Sequence, residues 1–439
     1  MEKLGKLLTF KKGGVHPDAH KELTQGLAIE VMPVPSEIAI LLGQHIGAPC
    51  EAVVKKGDKV SQGQVIGEVK AGLGTNVHAS WAGKVKAIGF AGHPTKIMAP
   101  AVIIETDKEA APVEYEKRDW SGLEPAELLA CIKDAGIVGA GGAGFPAHAK
   151  LKPPPGMTIT DLVINGAECE PYLTADHRLM LEKTEQIIEG IRILMKVLGV
   201  KSALIGIEDN KPDAIEAMAK ATSGFSEIKV CPLKTKYPQG GEKQLIYALT
   251  GRRIASGALP ASVGVVVQNV ATANAVYEAV VLQKPMFERV LTVSGLGIKK
   301  QANLLVRVGT RISDIVEYLG GTTDDLKKVI MGGPMMGFAT PDLSTPVTKT
   351  TSGILFLTDK EIDLRAGGPC CRCGWCLDAC PMGLEPKEIG LYVEAGKGKE
   401  TEQFGVKDCF ECGSCAYVCP AKRPLVQLIR IAKQELRKK

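Results

Sequence analysis

The chain has 439 residues, 45% apolar and 23% charged, a composition inside the globular range and outside the disordered and collagen-like ones. At roughly 150 residues per domain, that length calls for about three domains. The 54 Lys and Arg against 49 Asp and Glu leave +5, and with no basic stripe mid-chain nucleic-acid binding is not expected. The longest apolar runs, at 38–42 and 263–267, fall far short of the ~20 residues a spanning helix needs. The opening MEKLGKLLTFKKGG lacks the apolar stretch of a signal peptide, so a cytoplasmic chain is expected.

In chain order, residues 47–89 show short Val/Ile alternations broken by Gly and Asn, which predicts an all-β segment. Its VKKGDKVSQGQ entry and ASWAGKV return resemble the barrel-sandwich hybrid of biotinyl and lipoyl carriers. Those carriers modify a lysine at the hairpin tip. Here the tip is Ala71, Gly72, Leu73 and Gly74 with Lys70 one residue off, so a structural or docking module is expected.

Residues 105–120 are charged and aperiodic and read as a linker. Beyond them, helices at 125–135, 178–198, after Pro212, 242–250 and 272–282 alternate with strands at 161–164, 203–207, 227–233 and 263–267. That is the rhythm of an α/β domain. Shorter strands and a helix near 312–319 predict a small α+β unit over 289–357. At the C-terminus Leu425, Leu428, Ile429, Ala432 and Leu436 share one helical face opposite Lys and Arg; packing within its own domain or on a partner is favoured over binding to anionic lipid.

Nine of the 13 cysteines fall between Cys370 and Cys419, a density that in a cytosolic chain means metal. Cys370, Cys373, Cys376 and Cys380 form C-x2-C-x2-C-x3-C-P, and Cys409, Cys412, Cys415 and Cys419 repeat it. Each tight triple wraps three corners of an iron–sulfur cube, and the fourth thiolate is carried to the other cluster. Cys419 therefore completes the cluster of Cys370, Cys373 and Cys376, and Cys380 that of Cys409, Cys412 and Cys415. Zinc favours two separated C-x2-C pairs, so two 4Fe-4S clusters are expected, with Cys371 spare.

Residues 139–146, GAGGAGFP, formally satisfy G-x-G-x-x-G at Gly139, Gly141 and Gly144, but a helix precedes the loop and Phe145-Pro146 follows it. An ordinary Rossmann site is not expected. The loop reads either as a tight turn or as a phosphate cradle, with Lys150 as countercharge. Three further loops follow apolar strands: one with Asn165, Glu168 and Glu170, one with Tyr237 and Glu242, and one with Gln268, Asn269 and Thr272. Open α/β sheets bind ligands at that edge.

Together GAGGAGFPxxxK, INGAECEP, GGEKQLxxALTGRR and QNVATAN resemble the flavin- and NADH-binding subunit of respiratory complex I, whose motifs run GRGGAGFPxGxK, NADExEPG, GEExxLxxxxEGxR and INNVET. With the β module in front, the twin cysteine motif behind and the opening KKGGVHPDAHK, the whole chain resembles the RnfC family, NADH-oxidising subunits of Rnf ion-translocating complexes. The resemblance implies a multidomain α/β and α+β architecture: an N-terminal region with the barrel-sandwich domain over 1–110, an FMN/NADH-binding α/β domain over 120–285, a β-grasp (SLBB-like) domain over 286–360, and a helical two-4Fe-4S ferredoxin-like domain over 361–439.

It also implies that Gly139, Gly141 and Gly142 line FMN, that Lys150 meets its phosphate, and that Asn165, Glu168, Glu242, Gln268, Asn269 and Thr272 bind its remainder. Phe145 and Glu170 would contact NADH. The sequence departs from the motif at Ala167, where the family has a flavin-contacting Asp, and at Lys243, where it has Glu. The implied activity is hydride exchange between NAD(H) and FMN with single electrons leaving through the two clusters, and no side-chain acid or base is required. The implied partners are ferredoxin-like and integral-membrane Rnf subunits, with membrane contact through them at the cytoplasmic face of the plasma membrane. The rival readings are a microcompartment cobalamin reductase, in which the flavin module opens the chain, and a non-catalytic electron-carrying scaffold with degenerate flavin loops. The seven histidines show no paired metal spacing, and MGGPMMGF at 331–338 reads as a turn with core contacts.

Overall fold

A computed structural model describes residues 7–437. At its centre is a four-stranded parallel sheet in the order Ile228–Leu233, Ala203–Glu208, Asp161–Gly166, Val265–Asn269. The middles of its strands are apolar because both faces are covered, and the polar residues Asn165, Glu208, Gln268 and Asn269 fall at the carboxyl ends. Pro125–Asp134, Thr184–Leu198, Pro212–Ala221 and Val270–Val281 bury Ile132, Ile191, Ile215 and Val276 on one face, and Glu242–Thr250 buries Leu245 and Ile246 on the other. The helix expected over 178–198 is two, Ala175–Glu182 and Thr184–Leu198. The Thr184 hydroxyl bonds the Met180 carbonyl and competes with the helical ladder at the break.

The N-terminal β module closes Ile38, Ile66, Val77, Trp81 and Val102 between a four-stranded and a three-stranded sheet. A second α+β unit packs the helix Ile312–Tyr318 on a six-stranded sheet whose centre is Ala302–Arg307, Glu288–Ser294, Gly353–Thr358 and Leu326–Met331. Its edge strand is Ile29–Val31, paired in parallel with Ala302–Arg307.

That pairing joins the N-terminal region, expected over 1–110, to the second α+β unit. Residues 7–31 lie along the other modules as a strap. Leu8 bridges to Leu233 at the parallel sheet, Val15 to Tyr237, and the Gly14 amide donates to the Ala379 carbonyl at 2.9 Å. Gly13 has φ +65°, and a Cβ there would lie 2.5 Å from the carbonyl of Cys380, so only glycine fits. In the C-terminal module Leu425, Leu428, Ile429 and Ala432 of the helix Leu425–Arg437 are buried, with Ile389 of Pro386–Glu394 in the same core. The apolar face of the C-terminal helix thus packs within its own domain.

Candidate functional site

Parallel strands deliver their carboxyl ends to one edge, and the candidate residues gather there. Asn165 and Asn269 are register partners on adjacent strands. Asn269 caps the helix Val270–Val281, its Oδ1 accepting from the Ala271 amide at 2.8 Å, while its Nδ2 donates to Asp176 at 2.7 Å. Asn165 Nδ2 donates to the Gly240 carbonyl at 2.9 Å, tying the 234–241 loop to the strand end.

The glycine loop is pinned at its neck. The Gly139 amide donates to the Phe145 carbonyl at 2.9 Å, and the Ala140 amide to the buried Thr272 hydroxyl at 2.9 Å. Beyond the neck Gly141, Gly142 and Phe145 are exposed, and a Cβ on Gly141 would come within 3.2 Å of Asn269. Gln268 is buried, and its Nε2 has no protein partner. A buried amide without a partner is costly, and a bound polar group would satisfy it. Lys150 Nζ lies 2.6 Å from Glu242 Oε1, bringing two more candidates together.

Glu168 and Glu170 are engaged by the protein itself. Glu168 sits at φ +45° and caps the helix Ala175–Glu182, accepting from the Asp176 amide at 2.7 Å and the His177 amide at 3.2 Å. Glu170 accepts from the Met335 and Met336 amides, each at 3.0 Å, and burial pushes its carboxyl up to about 7.

Sequence reasoning missed the charges beneath this loop. Lys21, from the strap, donates to the Glu168 carbonyl at 2.9 Å, that of Glu170 at 3.0 Å and that of Leu173 at 2.5 Å. Burial draws its ammonium down to about 8. Lys211, fully buried, donates to the Ala167 carbonyl at 2.7 Å, and Arg289 to the Ala140 carbonyl at 2.7 Å. Burial raises the carboxyls of Glu168, Asp176 and Glu208 against these three cations. The only sequence signal was the resemblance of KKGGVHPDAHK to a family start. The departure at Lys243 also has a partner: its Nζ lies 3.4 Å from Asp408, which accepts from the Gly257 amide at 3.1 Å.

The cysteines ring two voids. Cys380, Cys409, Cys412 and Cys415 line one, and Cys370, Cys373, Cys376 and Cys419 line the other, so each fourth cysteine crosses over as its spacing predicts. Cys371 lines the second void as well and is exposed. The backbone turns left-handed at Arg372 and Gly374 and again at Glu411 and Gly413, and each turn leads into a short helix, Trp375–Asp378 or Ser414–Tyr417. Among the described residues no three His, Cys, Asp or Glu side chains converge as a single ion requires. Thiols spread around a hole fit a multi-iron cube. Burial pushes the Cys376, Cys409, Cys412 and Cys415 thiols up, Cys409 to about 11, so thiolates there call for metal charge. Tyr237 joins this module to the sheet edge, its hydroxyl donating to the Cys412 carbonyl at 2.7 Å.

Family models match in the same order along the chain: an RnfC barrel-sandwich hybrid domain over 8–109, a Nuo51 FMN-binding domain over 132–278, an SLBB domain over 290–339 and a 4Fe-4S dicluster domain over 369–422. A subunit of the proton-translocating ferredoxin:NAD(+) oxidoreductase complex of Clostridium ljungdahlii is 48% identical over 98% of this chain and 95% of its own. The chain belongs to the RnfC family. The RnfC relative from Acetobacterium woodii, named as part of a Na(+)-translocating ferredoxin:NAD(+) oxidoreductase complex, is 44% identical over 98% of this chain and 97% of its own. A third, from the ion-translocating oxidoreductase complex of Rhodobacter capsulatus, is 43% identical over 97% of this chain and 83% of its own. A crystal structure of NAD+-reducing [NiFe]-hydrogenase aligns with 72% of this RnfC chain and 61% of its own at TM-score 0.48 and 18% identity. No helix among the described residues is long and apolar enough to cross a membrane.

Proposed function

We propose that this chain is the electron-input subunit of an Rnf complex, exchanging hydride with NAD(H) and passing single electrons to partner subunits. FMN, when bound, accepts two electrons as hydride and releases them singly, and the two 4Fe-4S clusters carry one at a time. The observation that carries the reading is the contact, through Tyr237 and the Cys412 carbonyl, of the candidate flavin edge with one of the two cysteine-lined voids.

The exposed Gly141 and Gly142 amides and the Lys150 ammonium would hold the FMN phosphate. Gln268 offers an amide group to the ring and ribityl chain, while Asn165, Asn269, Thr272 and Glu168 act by fixing the backbone around them. The exposed Phe145 ring and the Glu170 carboxyl would contact the incoming nicotinamide nucleotide. The cations Lys21, Lys211 and Arg289, held on backbone carbonyls, favour negative charge in the site. Electrons would leave from the void of Cys370, Cys373, Cys376 and Cys419, where Cys373 is exposed. The receiving partners are ferredoxin-like and integral-membrane Rnf subunits, which anchor this peripheral chain at the cytoplasmic face and perform the ion translocation. The leading RnfC-type β module speaks against the cobalamin-reductase reading.

The test is anaerobic. Purified protein should carry about eight irons and one FMN, and its spectrum should bleach with NADH. Iron without flavin or NADH response would leave only the scaffold reading.

A further inference from the structure

The loop at 332–338 and Tyr237 sit where three modules meet. Tyr237 is 2% exposed, and its hydroxyl lies 2.7 Å from the Cys412 carbonyl and 3.4 Å from Glu170 Oε1. A hydroxyl has one hydrogen, and the shorter contact takes it. The Glu170 carboxylate is satisfied instead by the Met335 and Met336 amides, each at 3.0 Å. The Met335 carbonyl in turn faces the cysteine motif, where a Cβ on Gly413 would lie 2.7 Å from it. A Cβ on Gly333 would stand 2.2 Å from Glu170 Oε2, so the amides reach the carboxylate only because this residue is glycine. The motif that read as a bland turn is thus a clasp between the sheet edge and the cysteine module.

We propose that Tyr237 and Glu170 are positioning residues that fix the sheet edge against the void of Cys380, Cys409, Cys412 and Cys415 and set the reduction potential of the cluster held there. The inference rests on the proposed function. Hydrogen bonds and net charge around a cluster tune its potential. The Tyr237 hydroxyl directs its positive end at the peptide of a cluster ligand and favours the reduced cluster. Above about pH 7, where it is ionised, the Glu170 carboxylate adds negative charge nearby and opposes reduction, so the titration is run there.

The experiment is an anaerobic redox titration of the full-length, cofactor-loaded protein, following the two clusters by electron paramagnetic resonance in the wild type, Tyr237→Phe and Glu170→Gln. Tyr237→Phe should lower the potential of one cluster, Glu170→Gln should raise that of the same cluster, and the other cluster should stay put. Shifts of the same sign in both variants, shifts in both clusters, or no shift in Tyr237→Phe would overturn the proposal. If Glu170→Gln does not accumulate, Tyr237→Phe, which removes a single oxygen, decides. A wild type that holds no FMN, or is not bleached by NADH, sinks the functional reading instead, and that result is separate from the potentials.

Discussion

The Lys150 ammonium lies 2.6 Å from the Glu242 carboxylate, joining the helix after the glycine loop to the first turn of the helix Glu242–Thr250. An anion entering between them gains Lys150 and meets Glu242 as a rival. Lys150→Met should weaken FMN binding by roughly 10- to 100-fold, the worth of one charge-assisted hydrogen bond. Glu242→Gln should not weaken it. Titrating flavin-free protein with FMN checks both.

Gly13→Val should detach the strap from the cysteine module. The side chain meets the Cys380 carbonyl carbon and oxygen at 2.5 Å and the Pro381 nitrogen at 2.7 Å in a left-handed backbone. Strain and overpacking together should cost roughly 2–4 kcal/mol. The expected readouts are a lower unfolding midpoint and partial loss of iron.

The cysteine pairing was legible because it is written in spacings of three and four residues, and the α/β rhythm because periodic apolar runs mark it. The strap was not. Lys21 meets Glu168 147 positions away, and Ile29–Val31 is three residues long, too short to show a period. Glu168 and Glu170 stood out as candidates but not as a helix cap and a loop anchor, since the amides that hold them belong to backbone geometry that side-chain identity does not reveal. Lys243 looked like a departure from a motif, and its reason, Asp408, lies in another domain.

Lys349 is 1% exposed and donates to the Asn76 carbonyl at 2.8 Å and the Gly136 carbonyl at 2.7 Å. Cys50, His45 and His78 face it, and burial lowers its ammonium to about 7. The unfolded chain keeps that proton up to its ordinary value near 10.5. Between the two values the unfolded state binds more protons, so stability should rise with pH, by on the order of 2 kcal/mol from pH 7 to pH 9. Lys349→Met should flatten that slope. His78, lowered by burial to about 3, acts in a separate window below pH 6.5. Thermal unfolding at several pH values separates the two.

Cys371→Ser should keep about eight irons and both cluster signals, because four other thiols already ring its void. Cys376→Ser should lose one cluster. Iron analysis and electron paramagnetic resonance distinguish them. A Cys371→Ser protein with half the iron would make Cys371 a ligand.

The strap also sets an order of events on the ribosome. Ile29–Val31 has no strand to pair with until Ala302–Arg307 emerges, and Gly13 no surface to rest on until Cys380 does. At about 5–20 residues per second that is a wait of roughly 20–70 s. Lys21 and Leu8 can meet Glu168 and Leu233 well before then, so the strap docks in stages and the cysteine module closes it last.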